Sequence, residues 1–311
     1  MNIKNFEAVG GVYPTMITPY KNGNIDFDAV EALVEWYWKQ GCDGIFAVCQ
    51  SSEIMFLSLE ERVLLTRTVI AKARMLASDD TSRAPMQIVA SGHVSDNFDD
   101  QVKELCAIAA EGPDALILIS NRMDIENTTD EKWIEDTKRL ISMLPSDMPL
   151  GIYECPKPYK RLLSEKMIRF CIESQRFYFI KDTCCDASVI RERLKLCNGT
   201  RLKLYNANAQ TLLESLRDGC HGYCGVMANF HPSFYSRLIK GREEHLQEFL
   251  GLAATVESLT YPCCAKYYLD KFESIPMEHT ARSADVTAFT DYQKGCVDQM
   301  VSLASYLCKV L

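Results

Sequence analysis

Along this chain of 311 residues, a short apolar run of strand length gives way eight times to an amphipathic stretch of helix length, and that rhythm constrains the fold most. The strand-length runs are Val12–Thr18, Gly44–Val48, Gln87–Ser91, Ala115–Ile119, Leu150–Glu154, Phe177–Asp182, Lys203–Asn206 and Tyr223–Met227. All but the short seventh are rich in β-branched, aromatic or other large apolar residues, the composition of strands covered on both faces. Between them Asp28–Gln40, Ser58–Ala77, Asp96–Ala110 and Asp130–Met143 repeat apolar residues at helical spacing. Ser58 followed by Glu61 has the form of a capping box, and Gly41 stops the first helix. Eight β-then-α units predict an α/β fold of the closed kind, a (β/α)8 TIM barrel. An open, doubly wound sheet would carry fewer strands and a glycine-rich phosphate turn after the first. The turn here, Thr18-Pro19-Tyr20-Lys21-Asn22-Gly23-Asn24, is no dinucleotide fingerprint. Helical stretches follow the eighth strand near Arg242–Leu259, Cys263–Lys271 and Thr287–Lys309. The expected division is therefore a barrel over residues 1–235 and a C-terminal helical extension over 236–311.

Composition narrows the class. Apolar residues make up 47% and charged residues 24%, the proportions of a water-soluble globular chain, and no apolar run reaches the ~20 residues that span a bilayer. Met1–Gly10 lacks the pattern of a secretion signal, so the expectation is a cytoplasmic protein whose fourteen cysteines are thiols. The tight cluster Cys220-His221-Gly222-Tyr223-Cys224 lacks the paired spacing of a structural zinc site, so packing is the expected role and no metal is called for. A net charge of −8 without a basic block argues against nucleic acid.

In such a barrel the chemistry sits where the strands end, because the βα loops converge there. Phe177-Tyr178-Phe179-Ile180-Lys181-Asp182 puts an amine at the end of an almost wholly apolar strand, and an amine kept from water is favoured in its neutral, nucleophilic form. A rim position or a pairing with Asp182 is the plain alternative. Tyr153 ends the neighbouring strand and can move protons beside Lys181, although a packed aromatic is the commoner use of such a residue. The loop Cys49-Gln50-Ser51-Ser52-Glu53 offers hydroxyls and amides that could bind a carboxylate or simply form a turn.

At these residues the sequence resembles the dihydrodipicolinate synthase and N-acetylneuraminate lyase family, from about Gly11 into the C-terminal helices. The landmarks are Thr18-Pro19 with Gly23 and Asp26, the loop ending in Glu53, Tyr153 with Pro156, Lys181, and Gly219 through Gly222. The resemblance implies a class I aldolase or lyase: Lys181 as Schiff-base lysine, Tyr153 as proton-transfer residue, and Gln50, Ser51 and Ser52 around the 2-oxo acid carboxylate. It also implies catalysis without a cofactor and self-association as a homo-oligomer, dimer or tetramer.

Departures from the family pattern shift the expected substrate. Gln50 stands where a hydroxyl residue is usual, Ser120-Asn121-Arg122 where the synthases carry a tyrosine pair, and Lys160-Arg161 where they place an arginine. These changes concern the second substrate more than the lysine–tyrosine pair. The expectation is therefore retained pyruvate-like chemistry on a hydroxylated or anionic, sugar-acid-like aldehyde, with Asn121, Arg122, Glu154 and the strand-eight residue Cys224 as candidate contacts. Authentic 4-hydroxy-tetrahydrodipicolinate synthase is a second reading, and a non-catalytic sugar-acid-binding barrel is a third.

Overall fold

The computed structural model describes residues 6–310, so the first half of the Met1–Gly10 segment lies outside them. Eight parallel strands, each followed by helical structure, wrap into one barrel: β1 (Gly11–Val12), β2 (Gly44–Phe46), β3 (Gln87–Ser91), β4 (Ala115–Ile119), β5 (Leu150–Tyr153), β6 (Phe177–Asp182), β7 (Lys203–Asn206) and β8 (Gly222–Tyr223). β1 pairs with β8 through Gly11 opposite Gly222. On its other side, single contacts join Thr15 to Phe46 and Met16 N–H to the Phe46 carbonyl at 3.0 Å. A Cβ on Gly222 would lie 2.0 Å from the Gly11 carbonyl oxygen, so this seam closes only because residue 222 is glycine.

The third, fourth, sixth and seventh strands have the bounds expected from sequence. The first and last are shorter than Val12–Thr18 and Tyr223–Met227. Pro14 has no N–H to give to a ladder, and beyond Gly225 the chain turns into a single helical turn at Val226–Asn229. Among the helices, α1 (Phe27–Lys39) ends before Gly41 at φ 78°, and α2 (Leu59–Asp79) carries the reciprocal Ser58–Glu61 box at 3.1 and 2.8 Å. The turn after the first strand is a small hairpin, Tyr20–Lys21 against Asn24–Ile25. Asn22 and Gly23 both take positive φ, the signature of a tight hairpin turn.

Successive residues of a strand face opposite sides, so the barrel interior takes every second side chain. Tyr13, Phe179 and Tyr205 fill its lower layer, with the Phe179 and Tyr205 rings stacked at 4.1 Å. Gly151 makes room, since a Cβ there would come within 3.0 Å of Phe179. One layer higher, Phe46, Tyr153 and Lys181 close the interior. Behind the eighth strand, α8 (Pro232–Gly241), α9 (Glu244–Glu257), α10 (Cys263–Glu273) and α11 (Asp291–Val310) form the C-terminal helical region. No helix among the described residues is long and apolar enough to cross a membrane.

Two buried histidines set an acid limit on this fold. His93 Nε2 accepts the Ile119 N–H at 2.6 Å while Nδ1 faces Gln101 Oε1 at 3.1 Å, and His231 is walled in by Phe234, Phe249 and Tyr268, with the Glu257 carboxyl, held protonated by burial, 3.6 Å from its Nε2. Burial lowers both from 6.5 to about 4. Between those values the unfolded chain binds more protons than the folded one, so this contribution is complete above pH 6.5 and is lost as pH falls toward 4. Denaturant titrations across that window should show stability falling with pH, and the slope should flatten in a His93→Gln/His231→Leu double variant. An unchanged slope in that variant would refute the assignment.

Candidate active site

Lys181 is the last inward-facing residue of β6, directly opposite Tyr153 in the β5–β6 register. Its side chain is enclosed, 3% exposed, and Nζ lies 4.0 Å from the centroid of the Tyr153 ring and 5.7 Å from that of Phe46. No carboxylate of the described residues is within ion-pair distance of it. The alternative pairing with Asp182 fails because that side chain leaves the opposite face of the strand.

Asp182, with Glu154 just beyond β5, meets Arg193 of α6 (Ala187–Cys197) outside the barrel wall. Arg193 Nη2 lies 2.8 Å from Glu154 Oε1, and Nη1 bonds Asp182 Oδ2. Glu154 further accepts from the Leu163 and Thr183 backbone amides at 2.7 and 2.8 Å. Burial and the neighbouring Asp182 carboxylate push the Glu154 acid upward, and Arg193 opposes them. Glu154 therefore faces away from any acceptor, contrary to expectation. Residues 154 and 182 are fixed from behind, so Tyr153 and Lys181 are held in register in front.

A cavity of about 900 Å³ opens over this pair. Gln50, Ser51, Arg122, Tyr153 and Lys181 all line it, so five of the expected site residues converge. Besides Glu154, three others do not reach it. Ser52 is fully buried and its hydroxyl ties the loop to the Met16 and Ala47 carbonyls, each at 2.7 Å. Asn121 Nδ2 gathers the carbonyls of Cys155 and Lys157 at 2.9 Å, and that of Tyr159 as well, bracing the loop after β5. Cys224 lies beneath the cavity, close enough to Lys181 to feel its charge, with burial pushing the thiol up to about 12. Of the two basic residues after β5, Lys160 lines the cavity and donates to the Thr183 carbonyl at 2.5 Å. Arg161 is buried against Asp124 at 2.7 Å. Among the described residues, no three His, Cys, Asp or Glu side chains gather as a metal site.

Several contributors carried no signal in the sequence. Tyr261, from the C-terminal helical region, lines the cavity close to Ser51, whose hydroxyl donates to Thr15 Oγ1 at 3.0 Å. Asn229 Nδ2 ties Tyr261 to the Thr15 carbonyl at 3.1 and 2.9 Å. Glu53, a landmark without an assigned task, sits at φ 63° and accepts the Arg282 and Ser283 amides at 2.6 and 2.7 Å. It thereby straps the C-terminal segment across the loop after β2, with buried Lys266 alongside at 3.5 Å. Burial drives the Tyr153 phenol well above its usual range, so it keeps its proton in the resting site.

The comparisons fit this geometry. A model of the dihydrodipicolinate synthetase family matches residues 8–80. A 4-hydroxy-tetrahydrodipicolinate synthase from Methanocaldococcus jannaschii is 24% identical over 250 residues, covering 77% of this chain and 80% of that protein. The solved 4-hydroxy-tetrahydrodipicolinate synthase of Methylacidiphilum fumariolicum superposes with a TM-score of 0.81 at 19% identity, over 97% of this chain and 98% of that one. The sialic acid aldolase of Ruminococcus gnavus gives 0.81 at 15% identity, over 96% and 98%. The fold and the enclosed lysine at its mouth define a (β/α)8 barrel with a helical extension and a site at the C-terminal strand ends. Within that class, the chain is similar, at low identity, to members of the dihydrodipicolinate synthase and N-acetylneuraminate lyase family.

Proposed function

We propose that this protein is a class I, pyruvate-dependent aldolase or lyase that forms a Schiff base between Lys181 and pyruvate or a related 2-oxo acid. The observation that carries the reading is the enclosed Lys181 amine, 4.0 Å from the Tyr153 ring, at the floor of a cavity. In this reading the amine adds to the ketone carbon to give a carbinolamine. Tyr153 passes its proton to the carbinolamine oxygen, which leaves as water, and an iminium remains. The phenolate then takes a proton from the methyl carbon, so the iminium becomes an enamine and the phenol is restored. The enamine adds to an aldehyde, or the steps run in reverse for cleavage; dehydration of a hydroxy acid uses the same intermediates. Gln50 and Ser51 would hold the carboxylate.

Arg122, Lys157 and Lys160 on one side of the cavity favour an anionic, sugar-acid-like partner over a neutral one. 4-Hydroxy-tetrahydrodipicolinate synthase activity is the second reading, favoured by the name of the Methanocaldococcus relative. The proposal takes the protein as a cytoplasmic homo-oligomer, dimer or tetramer, binding neither nucleic acid nor membrane. Borohydride added with pyruvate should leave a reduced adduct on Lys181, seen by peptide mass spectrometry. An unmodified Lys181 in folded protein, with other 2-oxo acids also tried, would sink the reading. Turnover of pyruvate with aspartate semialdehyde, compared with a panel of sugar-acid aldehydes, separates the two substrate readings.

A further inference from the structure

Resting on that reading, we infer that Cys155 is a positioning residue whose thiol aims the Tyr153 proton and then supports the phenolate. After β5 the chain turns sharply, with the Cys155 N–H bonded to the Tyr153 carbonyl at 2.9 Å, which returns the cysteine side chain to the tyrosine. Cys155 is fully buried, its carbonyl is held by Asn121 Nδ2 at 2.9 Å, and its Sγ lies 3.4 Å from Gln50 Oε1. The Tyr153 hydroxyl and this thiol lie close enough for each to shift the other's titration.

On this inference, donors and acceptors form an ordered chain. The phenol O–H donates to sulfur, and the thiol S–H donates to the amide oxygen of Gln50. That oxygen has no proton to pass on, so the chain ends there without reaching solvent. Two consequences follow. At rest the phenol oxygen keeps a lone pair free for an incoming carbinolamine hydroxyl. When Tyr153 gives its proton to the leaving water, the single S–H can turn from Gln50 to the phenolate oxygen, and it turns back when the methyl carbon returns a proton. No bond to sulfur forms or breaks and no outside reactant is used. A hydroxyl residue at position 50 would extend the chain; Gln50 closes it, so the Tyr153 proton has no relay through the protein and exchanges only with substrate or with water in the cavity.

Exchange of the pyruvate methyl protons with D2O, followed by NMR, tests this without knowledge of the aldehyde. In Cys155→Ala the exchange kcat should fall about tenfold to a hundredfold, the KM for pyruvate should hold within about twofold, and the borohydride adduct on Lys181 should still form. Cys155→Ser, which restores a rotating donor, should recover to within about threefold of the parent, and Cys155→Val, which only fills space, should not. The pH profile should move in the alanine and valine variants and not in the serine one. Wild-type exchange in Cys155→Ala with the adduct intact overturns the inference and leaves the Schiff-base reading standing. A serine variant as slow as alanine, with both folded by circular dichroism, reduces Cys155 to packing and also overturns it. No adduct in the parent overturns the underlying reading.

Discussion

Lys181→Met should remain folded, lose the borohydride adduct and lower pyruvate methyl exchange by roughly 10⁴-fold or more, because it deletes the nucleophile and leaves the cavity otherwise intact. Methionine is the right probe. The Lys181 stem lies enclosed against the Phe46 and Tyr153 rings, and an unbranched thioether fills that channel without an ammonium to accommodate. Stability should therefore hold or rise. Lys181→Arg should not rescue, because a guanidinium stays protonated at every working pH. The other cavity lysines, Lys157 and Lys160, are exposed on the loop after β5 and cannot replace an amine at the cavity floor. Kinetics of Lys181→Met within tenfold of the parent, or an adduct at another lysine, would remove the nucleophile assignment.

The second large effect lies outside the cavity. Arg193→Met should cost about 3–5 kcal/mol of stability, read as a lowered denaturant midpoint, because two buried carboxylates lose their common cation. Glu154 and Asp182 are both fully buried, and Arg193 is the cation that bridges them. Glu154 already has its acid raised by burial and by Asp182 with the guanidinium present, so one of the two must take up a proton once it is gone. The damage should also reach the site. Residues 153 and 154, and 181 and 182, are neighbours along the chain, so freeing the outer pair loosens the inner one and should lower exchange kcat in the surviving folded fraction. A change within ~0.5 kcal/mol, the range of an inert surface substitution, would mean that the trio does not brace the wall.

Particular residues show how far the sequence reached into this site. Lys181 and Tyr153 were legible because strand patterning with period two fixes which residue ends a strand facing inward, and parallel register then sets them side by side. Gln50, Ser51 and Arg122 were legible as polar residues at strand ends, the positions that ring a barrel mouth. Ser52, Asn121 and Glu154 occupy equally suggestive places, yet their polar groups face loop carbonyls, loop amides and Arg193. Residue type cannot distinguish a group that holds a loop from one that meets a ligand, since both need the same hydrogen-bonding atoms. Cys155 shows the reverse case. It read as one of many buried thiols, and only the turn after β5 brings its sulfur between Tyr153 and Gln50.

By itself the sequence determined the number of β/α units, the bounds of the strands with uninterrupted apolar runs, the helix caps and the inward phase of β5 and β6. All of these follow from contacts within a few residues, where side-chain period and backbone propensity act without help from the rest of the chain. Tertiary structure alone decided where the first and last strands meet, which polar groups remain free to face the cavity, and that Tyr261 and Ser283 of the C-terminal region line it. Those outcomes rest on contacts between segments far apart along the chain, from 34 residues for Asn121 and Cys155 to 229 for Glu53 and Arg282. There a hydrogen bond forms only if both partners arrive with matching geometry, and no local pattern records the arrival.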